Sequence, residues 1–218
     1  MKKALICFVV LATLFCCGCI GGDLDAVSYL QSAYLIGECD EFRLTVVSGV
    51  RESPYVMDGE KGDLVGFCTL TLKPKSEEGS GESYTYEVDI EGEIHTGTLH
   101  KDTFGTTLSG DIGVDVGNLM TSVTLKRGQE SFTVMLENMT SNALISSTDA
   151  LDIAKRALSD SLSNLEDDDS REIYIKFVSD ILGEESVYYW YVAFVGEGGK
   201  YSAVLIDIVS GDIIAKRG

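Results

Sequence analysis

From Phe42 to Leu136, apolar and polar residues alternate with a period of two. Phe42, Leu44 and Val46 alternate with Arg43 and Thr45, and a second run covers residues 65–72. In the clearest run Tyr84, Tyr86, Val88 and Ile90 share one face, with Thr85, Glu87, Asp89 and Glu91 on the other. One dry face and one wet face is the signature of an antiparallel sheet solvated on one side. Gly92-Glu93 reads as a two-residue hairpin turn from which residues 94–100 return. Residues 119–125 and 132–136 flank a second turn at 126–130. Six or seven short strands in about a hundred residues predict either a sandwich or a curved half-barrel.

The period changes on both sides of this region. Residues 25–37 predict a short helix, capped by Asp25, with Val27, Leu30, Ala33, Tyr34 and Ile36 near helical spacing and Gly37 as its stop. After a boundary at 144–148, Ser147 or Thr148 caps a helix reaching about Leu165, striped by Leu151, Ala154, Leu158, Leu162 and Leu165. Three strands follow, at 173–178, 187–195 and 201–208. A three-stranded sheet needs a cover for its dry face, and the helix stripe supplies one over Trp190, Val192, Phe194, Val204 and Ile206. The expected fold class is α+β. A mainly antiparallel β module over 41–145 precedes a helix plus three-stranded antiparallel sheet over 146–218.

The first twenty residues read as an address. Lys2 and Lys3 precede an apolar run over 4–15, which ends in Cys16, Cys17, Gly18, Cys19, Ile20, Gly21 and Gly22. That is the layout of a secretory signal peptide. Gly18 followed by Cys19 resembles the lipobox of prokaryotic lipoproteins, and the Gly-Cys-Ile-Gly-Gly run is similar to the start of archaeal surface lipoproteins. The resemblance implies a signal peptide over 1–18, acylation of Cys19, a lipid-anchored segment over 19–40, and a body at the cell membrane facing outside the cytoplasm. Cys16 stands where the lipobox usually carries Leu, while Leu14 is correctly placed for Cys17. The alternative is an uncleaved anchor over 4–20, at the short end of what spans a bilayer. Both readings put the remaining chain outside.

Charge narrows the partners. The 218 residues carry 17 Lys plus Arg against 35 Asp plus Glu, a net charge of −18. Removing residues 1–18, which hold two lysines and no acids, takes this to −20. Nucleic-acid binding is excluded, because phosphate recognition needs clustered Lys and Arg. Attachment to the membrane falls to the lipid rather than to headgroup attraction. Four of the six cysteines lie in the export segment. Cys39 and Cys68 remain, as a candidate disulfide in an oxidising compartment or as two separate buried thiols.

Catalytic chemistry is sparse. His95 and His100 share a strand at odd spacing, which sends them to opposite faces and prevents joint chelation. The chain has no Gly-x-Ser-x-Gly elbow, Walker loop or dinucleotide fingerprint, so no cofactor is expected. The acidic, glycine-containing stretches at 58–63 and 111–115, with Asn118 nearby, do not fit EF-hand spacing and read as turns; no metal is expected. The acidic run at 166–169 reads as a solvated loop. Asn138-Met139-Thr140 is a candidate glycosylation sequon. Tyr189 and Tyr191 are either amphipathic anchors for a partner or edge packing.

An Ala-rich helix, Trp190-x-Val192-x-Phe194, Tyr201-x-x-Val204-x-Ile206-Asp207 and a Ser-Gly-Asp-Ile-Ile ending together resemble a PepSY domain over about 147–214. Ser210 stands where Thr is commoner, and the connection 179–186 is long. Such domains occur in the propeptides of thermolysin-like metalloproteases, where an inhibitory role is proposed. The resemblance implies no catalytic residues. The expected function is a lipid-anchored, non-enzymatic binding or regulatory module, with an extracytoplasmic protease as candidate partner. The alternative is a carrier holding an apolar ligand in a half-barrel cavity lined by Tyr86, Val88 and Leu125. Least favoured is a hydrolase, which would need His95 or His100 in a cleft with carboxylates.

Overall fold

Alternation makes strands of most of the body. The computed structural model describes residues 27–58, 61–76, 83–103, 105–163, 171–179 and 187–218. The export segment, Cys19 and the acidic run at 166–169 lie outside the described residues. The strands are β1 (Tyr29–Glu38), β2 (Phe42–Ser53), β3 (Asp63–Pro74), β4 (Tyr84–Ile90), β5 (Glu93–Lys101), β6 (Leu108–Ile112), β7 (Ser122–Arg127), β8 (Glu130–Met135) and β9 (Glu137–Asn138). A 3-10 turn at Met139–Asn142 leads to helices α1 (Ser147–Ala157) and α2 (Ser159–Leu162). Then come β10 (Glu172–Ser179), β11 (Tyr188–Val195), β12 (Tyr201–Asp207) and β13 (Ile213–Arg217).

These strands form one mixed, mainly antiparallel 13-stranded sheet, ordered β13-β12-β11-β10-β1-β2-β3-β6-β5-β4-β7-β8, with β9 pairing back onto β1. The β1–β10 pairing is parallel, with Tyr29 opposite Tyr174 and Leu30 opposite Ile175. Glu137 and Asn138 pair with Ile36 and Leu35, one residue after β8 ends. The first eight strands therefore curl round one core, to which Leu35, Leu44, Leu70, Tyr86, Leu125 and Val134 belong. A second core lies under α1, where Ala150, Leu151 and Ala154 pack with Trp190, Val204 and Ile206. The chain is thus mostly β with one short helical segment near its C-terminal part, more β-rich than the α+β expectation. The separate three-stranded sheet is instead one flank of a continuous sheet, extended by β13.

The helix expected over 25–37 is a strand. Tyr29, Gln31, Ala33 and Leu35 are buried at period two, while Leu30, Tyr34 and Ile36 pack into the second core from alternate positions. A strand apolar on both sides also satisfies a helical spacing, which is why the pattern misleads. Gly37 is no helix stop. A Cβ there would lie 2.7 Å from the Met135 carbonyl oxygen, so the missing side chain lets β1 approach the end of β8.

Other boundaries moved by a few residues. The β4–β5 turn is Glu91-Gly92, not Gly92-Glu93, with φ of 53° and 89° and the Gly92 N–H donating to Asp89 Oδ1 at 2.7 Å. Both turn residues are left-handed, as a type I′ hairpin requires. Ser146, rather than Ser147 or Thr148, caps α1. Its hydroxyl accepts from the Asp149 N–H while the Asp149 carboxylate accepts from the Ser146 backbone, a complete capping box. The Ser-Gly-Asp ending is the β12–β13 turn. Asp207 Oδ1 accepts from Val209 N (2.9 Å) and Ser210 N (2.8 Å), and Gly211 takes φ +76°. Those bonds, from Ser210 first, hold the Asp207 carboxyl below its ordinary range.

Cys39 and Cys68 are two free thiols, not a bridge. Phe42 sits opposite Pro74 and Ser48 opposite Cys68, so Cys68 lies six residues along the sheet from the β1–β2 turn that carries Cys39. Six residues of strand span about 20 Å, far beyond what a disulfide bridges. Burial, reinforced by Asp115 and Asp111, pushes the Cys68 thiol up to about 12.

Candidate partner-binding face

The face of β10–β12 turned away from α1 is aromatic. Tyr29, Phe67, Tyr174, Ala193, Val195 and Ala203 form its buried layer, with Val47, Tyr191 and Tyr201 half-buried against them. Register places these side chains together. Tyr174 faces Ala193, Ala193 faces Ala203, and Ala203 faces Arg217 across four adjacent strands. Beside the small side chain of Ala203 lies a groove of about 340 Å³ lined by Tyr191, Tyr201, Leu205, Ala215 and Arg217. Tyr55, in the segment after β2, arches over the other end, 5.7 Å from the Tyr29 ring and 6.2 Å from Tyr174.

Three cations lie on these rings. Lys176 Nζ stands 4.9 Å from the Tyr29 ring centre and donates to Tyr55 Oη at 3.1 Å. Arg51 covers Phe67 at 4.8 Å, and Arg217 covers Tyr201 at 4.3 Å. Cation–π contact accounts for the geometry. Among the described residues none of the three enters an ion pair, in a chain where acids outnumber bases 35 to 17. Arg127 is the contrast: it also stacks on Tyr84 and Phe132 but pairs with Glu41 and Glu130. The phenols of Tyr29, Tyr174 and Tyr191 stay neutral. Burial, then Tyr55, raises Tyr29 to about 12; burial also raises Tyr191, and burial with the Glu172 hydrogen bond raises Tyr174.

Of the two anchors expected from sequence, Tyr191 reaches this face beside the groove. Tyr189 lies two residues further along β11, half-buried opposite Asp207. The remaining members of the layer went unread because they come from six strands, β1, β2, β3, β10, β11 and β12. The signal that was available is parity: Tyr189, Tyr191, Tyr201, Ala203 and Leu205 occupy alternate positions opposite the helix-facing Trp190, Val192, Val204 and Ile206.

No protein-family model, curated protein or solved structure matches the chain. Assignment therefore rests on the residues themselves.

The other candidates stand apart from this face. His95 is half-buried and His100 exposed, both on β5, with opposite orientations as the spacing predicted. Among the described residues no group of three or more His, Cys, Asp or Glu side chains is placed to hold a metal ion. Asp111 accepts from Thr69 Oγ1 and ties β6 to β3, while Asp115 Oδ1 accepts from Ser32 Oγ, Ser48 Oγ and the Gly117 N–H and fastens the β6–β7 connection to β1 and β2. Asn138 is half-buried and engaged. Its side-chain oxygen accepts from Thr140 N and Oγ1, and its Nδ2 donates to Asn118. Tyr86, Val88 and Leu125, the expected lining of an apolar cavity, pack into the core shared by β1–β8. Tyr86 lies against Gly97 and Gly110 and donates to the Asp111 carbonyl at 3.0 Å.

A second cleft of about 370 Å³ opens beside the start of α1, lined by Leu30, Gln31, Thr140, Ile145, Ser146 and Trp190. Asp149 already occupies that helix start through the capping box. Gln31 is buried, and its Oε1 accepts from Phe177 N at 3.2 Å, continuing the β1–β10 seam by side chain where the strand pairing stops. Its Nε2 has no hydrogen-bond partner.

Proposed function

We propose that the protein is a lipid-anchored, non-enzymatic binding module facing outside the cytoplasm, which holds an acidic, extended segment of a protein partner on the β10–β13 face. The observation that carries this reading is the set of three cations, Arg51, Lys176 and Arg217, which cover the aromatic layer of this face and enter no ion pair among the described residues of so acidic a chain. Complementary charge sets register and on-rate, and aromatic rings supply contact area. The edge supports the same reading. β13 ends the sheet, all five of its residues are exposed, and its outer backbone groups suit an added strand. The Lys2-Lys3, apolar run and Gly18-Cys19 pattern supports export and acylation.

The finer architecture belongs to the proposal: a barrel-like module from β1–β9, and a PepSY-like unit from α1 with β10–β12. That likeness makes an extracytoplasmic metalloprotease the candidate partner. The test compares the full chain with a Tyr191→Ser, Arg217→Glu variant, measuring inhibition of a thermolysin-like protease and capture of envelope proteins. Loss of both in the variant, with an unchanged near-UV spectrum, supports the reading. Equal inhibition and capture by the two chains overturns the face.

A further inference from the structure

We infer that the end of the molecule bearing Tyr55, Val56, Met57, Leu64 and Val65 rests on the lipid bilayer. The inference builds on the acylation of Cys19 proposed above. These five side chains are 42–46 % exposed, a concentration of large apolar surface at the loop end of the β2–β3 hairpin. Leu64 sits opposite Glu52 and Val65 opposite Arg51, so they belong to the same end as the segment following Ser53.

Position, not exposure, decides between a bilayer and another occupant. Leu144 and Val209 are more exposed, at 75 % and 55 %, but they lie at the other end. Val209 follows β12 six residues beyond Ala203, which shares the row of Tyr174 and Ala193, hence roughly 20 Å from that row. The body instead begins at the apolar end. Ser28 N donates to the Ile173 carbonyl, and the Ser28 carbonyl accepts from Glu52 N at 3.0 Å, placing the first described residues beside the end of β2. Seven residues lie between Cys19 and Val27 in the sequence, and the eight steps give a reach of at most about 28 Å. An acyl chain at Cys19 therefore joins the body at this end, and the apolar side chains beside the point of attachment are the ones it brings first to the hydrocarbon boundary. Tyr55 is suited to that depth, with its ring on Tyr29 and its hydroxyl on Lys176. Lys61 stands on this end to meet headgroup phosphates, while the net charge of −20 left after removal of residues 1–18 keeps the rest of the surface off.

The test uses the full chain, purified with its modification and reconstituted into phosphatidylcholine vesicles whose acyl chains carry bromine. A Val56→Trp chain in a Trp190→Phe background should be quenched several-fold more strongly than a Val209→Trp chain in the same background. Should the Trp190→Phe background fail to fold, hydrogen exchange on the unsubstituted chain gives the same answer. Vesicle binding should slow exchange several-fold at 55–57 and 64–65 and leave 209–211 unchanged. Mass spectrometry of the same sample reads the acyl chain at Cys19. Acylation with no excess quenching or protection at the apolar end overturns the inference and leaves the anchor standing. An unacylated Cys19 removes the anchor, and the inference falls with it.

Discussion

Replacing Gln31 by Glu isolates the seam between the two halves of the sheet. Gln31 is 4 % exposed, its Oε1 accepts from Phe177 N, and its Nε2 has no partner. Once ionised, the variant keeps the shape and the acceptor and lacks the unsatisfied donor, which by itself would help by about 1 kcal/mol. Against this stands a buried charge. A carboxyl in such surroundings, partly compensated by the Phe177 N–H, is held about two pH units above its unfolded value near 4.3, which costs about 2.7 kcal/mol once ionised. Charge wins at neutral pH. Because the folded value is the higher one, the penalty is absent below the unfolded value and complete above roughly pH 6.3. Urea unfolding of both chains at pH 4.5 and pH 7.5 reads the difference between them. The expected loss relative to wild type is small in acid and about 2 kcal/mol at pH 7.5. An equal difference at both values, or a variant more stable at pH 7.5, refutes the buried placement of this side chain.

Three further outcomes are expected. Ser146→Ala removes the capping box of α1 and should cost about 1 kcal/mol in chemical unfolding, with Trp190 fluorescence as the reporter. Gly97→Ala sets a Cβ 2.5 Å from Tyr86 Cζ and threatens the Tyr86–Asp111 bond, so overpacking should lower stability by about 2 kcal/mol; a neutral result would mean the ring moves freely. Native-state alkylation at pH 8 should modify Cys39 well before Cys68, whose buried thiol is pushed up to about 12, and both should react in urea.

Local alternation read well. β2, β3, β4, β5, β7 and β8 each have one buried side, and the sequence shows them. β6 escaped because Leu108, Gly110 and Ile112 alternate around a glycine over only five residues. β1 was misread for the opposite reason, having apolar residues on both faces. The parallel β1–β10 pairing joins segments more than a hundred residues apart, and local pattern carries no trace of it. The site followed the same division. Tyr191 could be singled out within its own strand, whereas the cations over Tyr29, Phe67 and Tyr201 meet their rings only through tertiary register.

The place of β1 in the sheet has a consequence for the order of assembly. On one side its partner β2 emerges at once. On the other side β9 reaches Leu35 and Ile36 about a hundred residues later, and Tyr29 and Leu30 must wait for Tyr174 and Ile175. Until then the nascent protein presents an unmatched backbone rim, the kind of rim on which strands from other molecules nucleate. A fragment ending near residue 145 would keep that rim permanently, and one starting near 146 would lack the strand that β10 rests against. Neither half is therefore expected to behave as a well-mannered soluble piece, although the sequence invites a cut there.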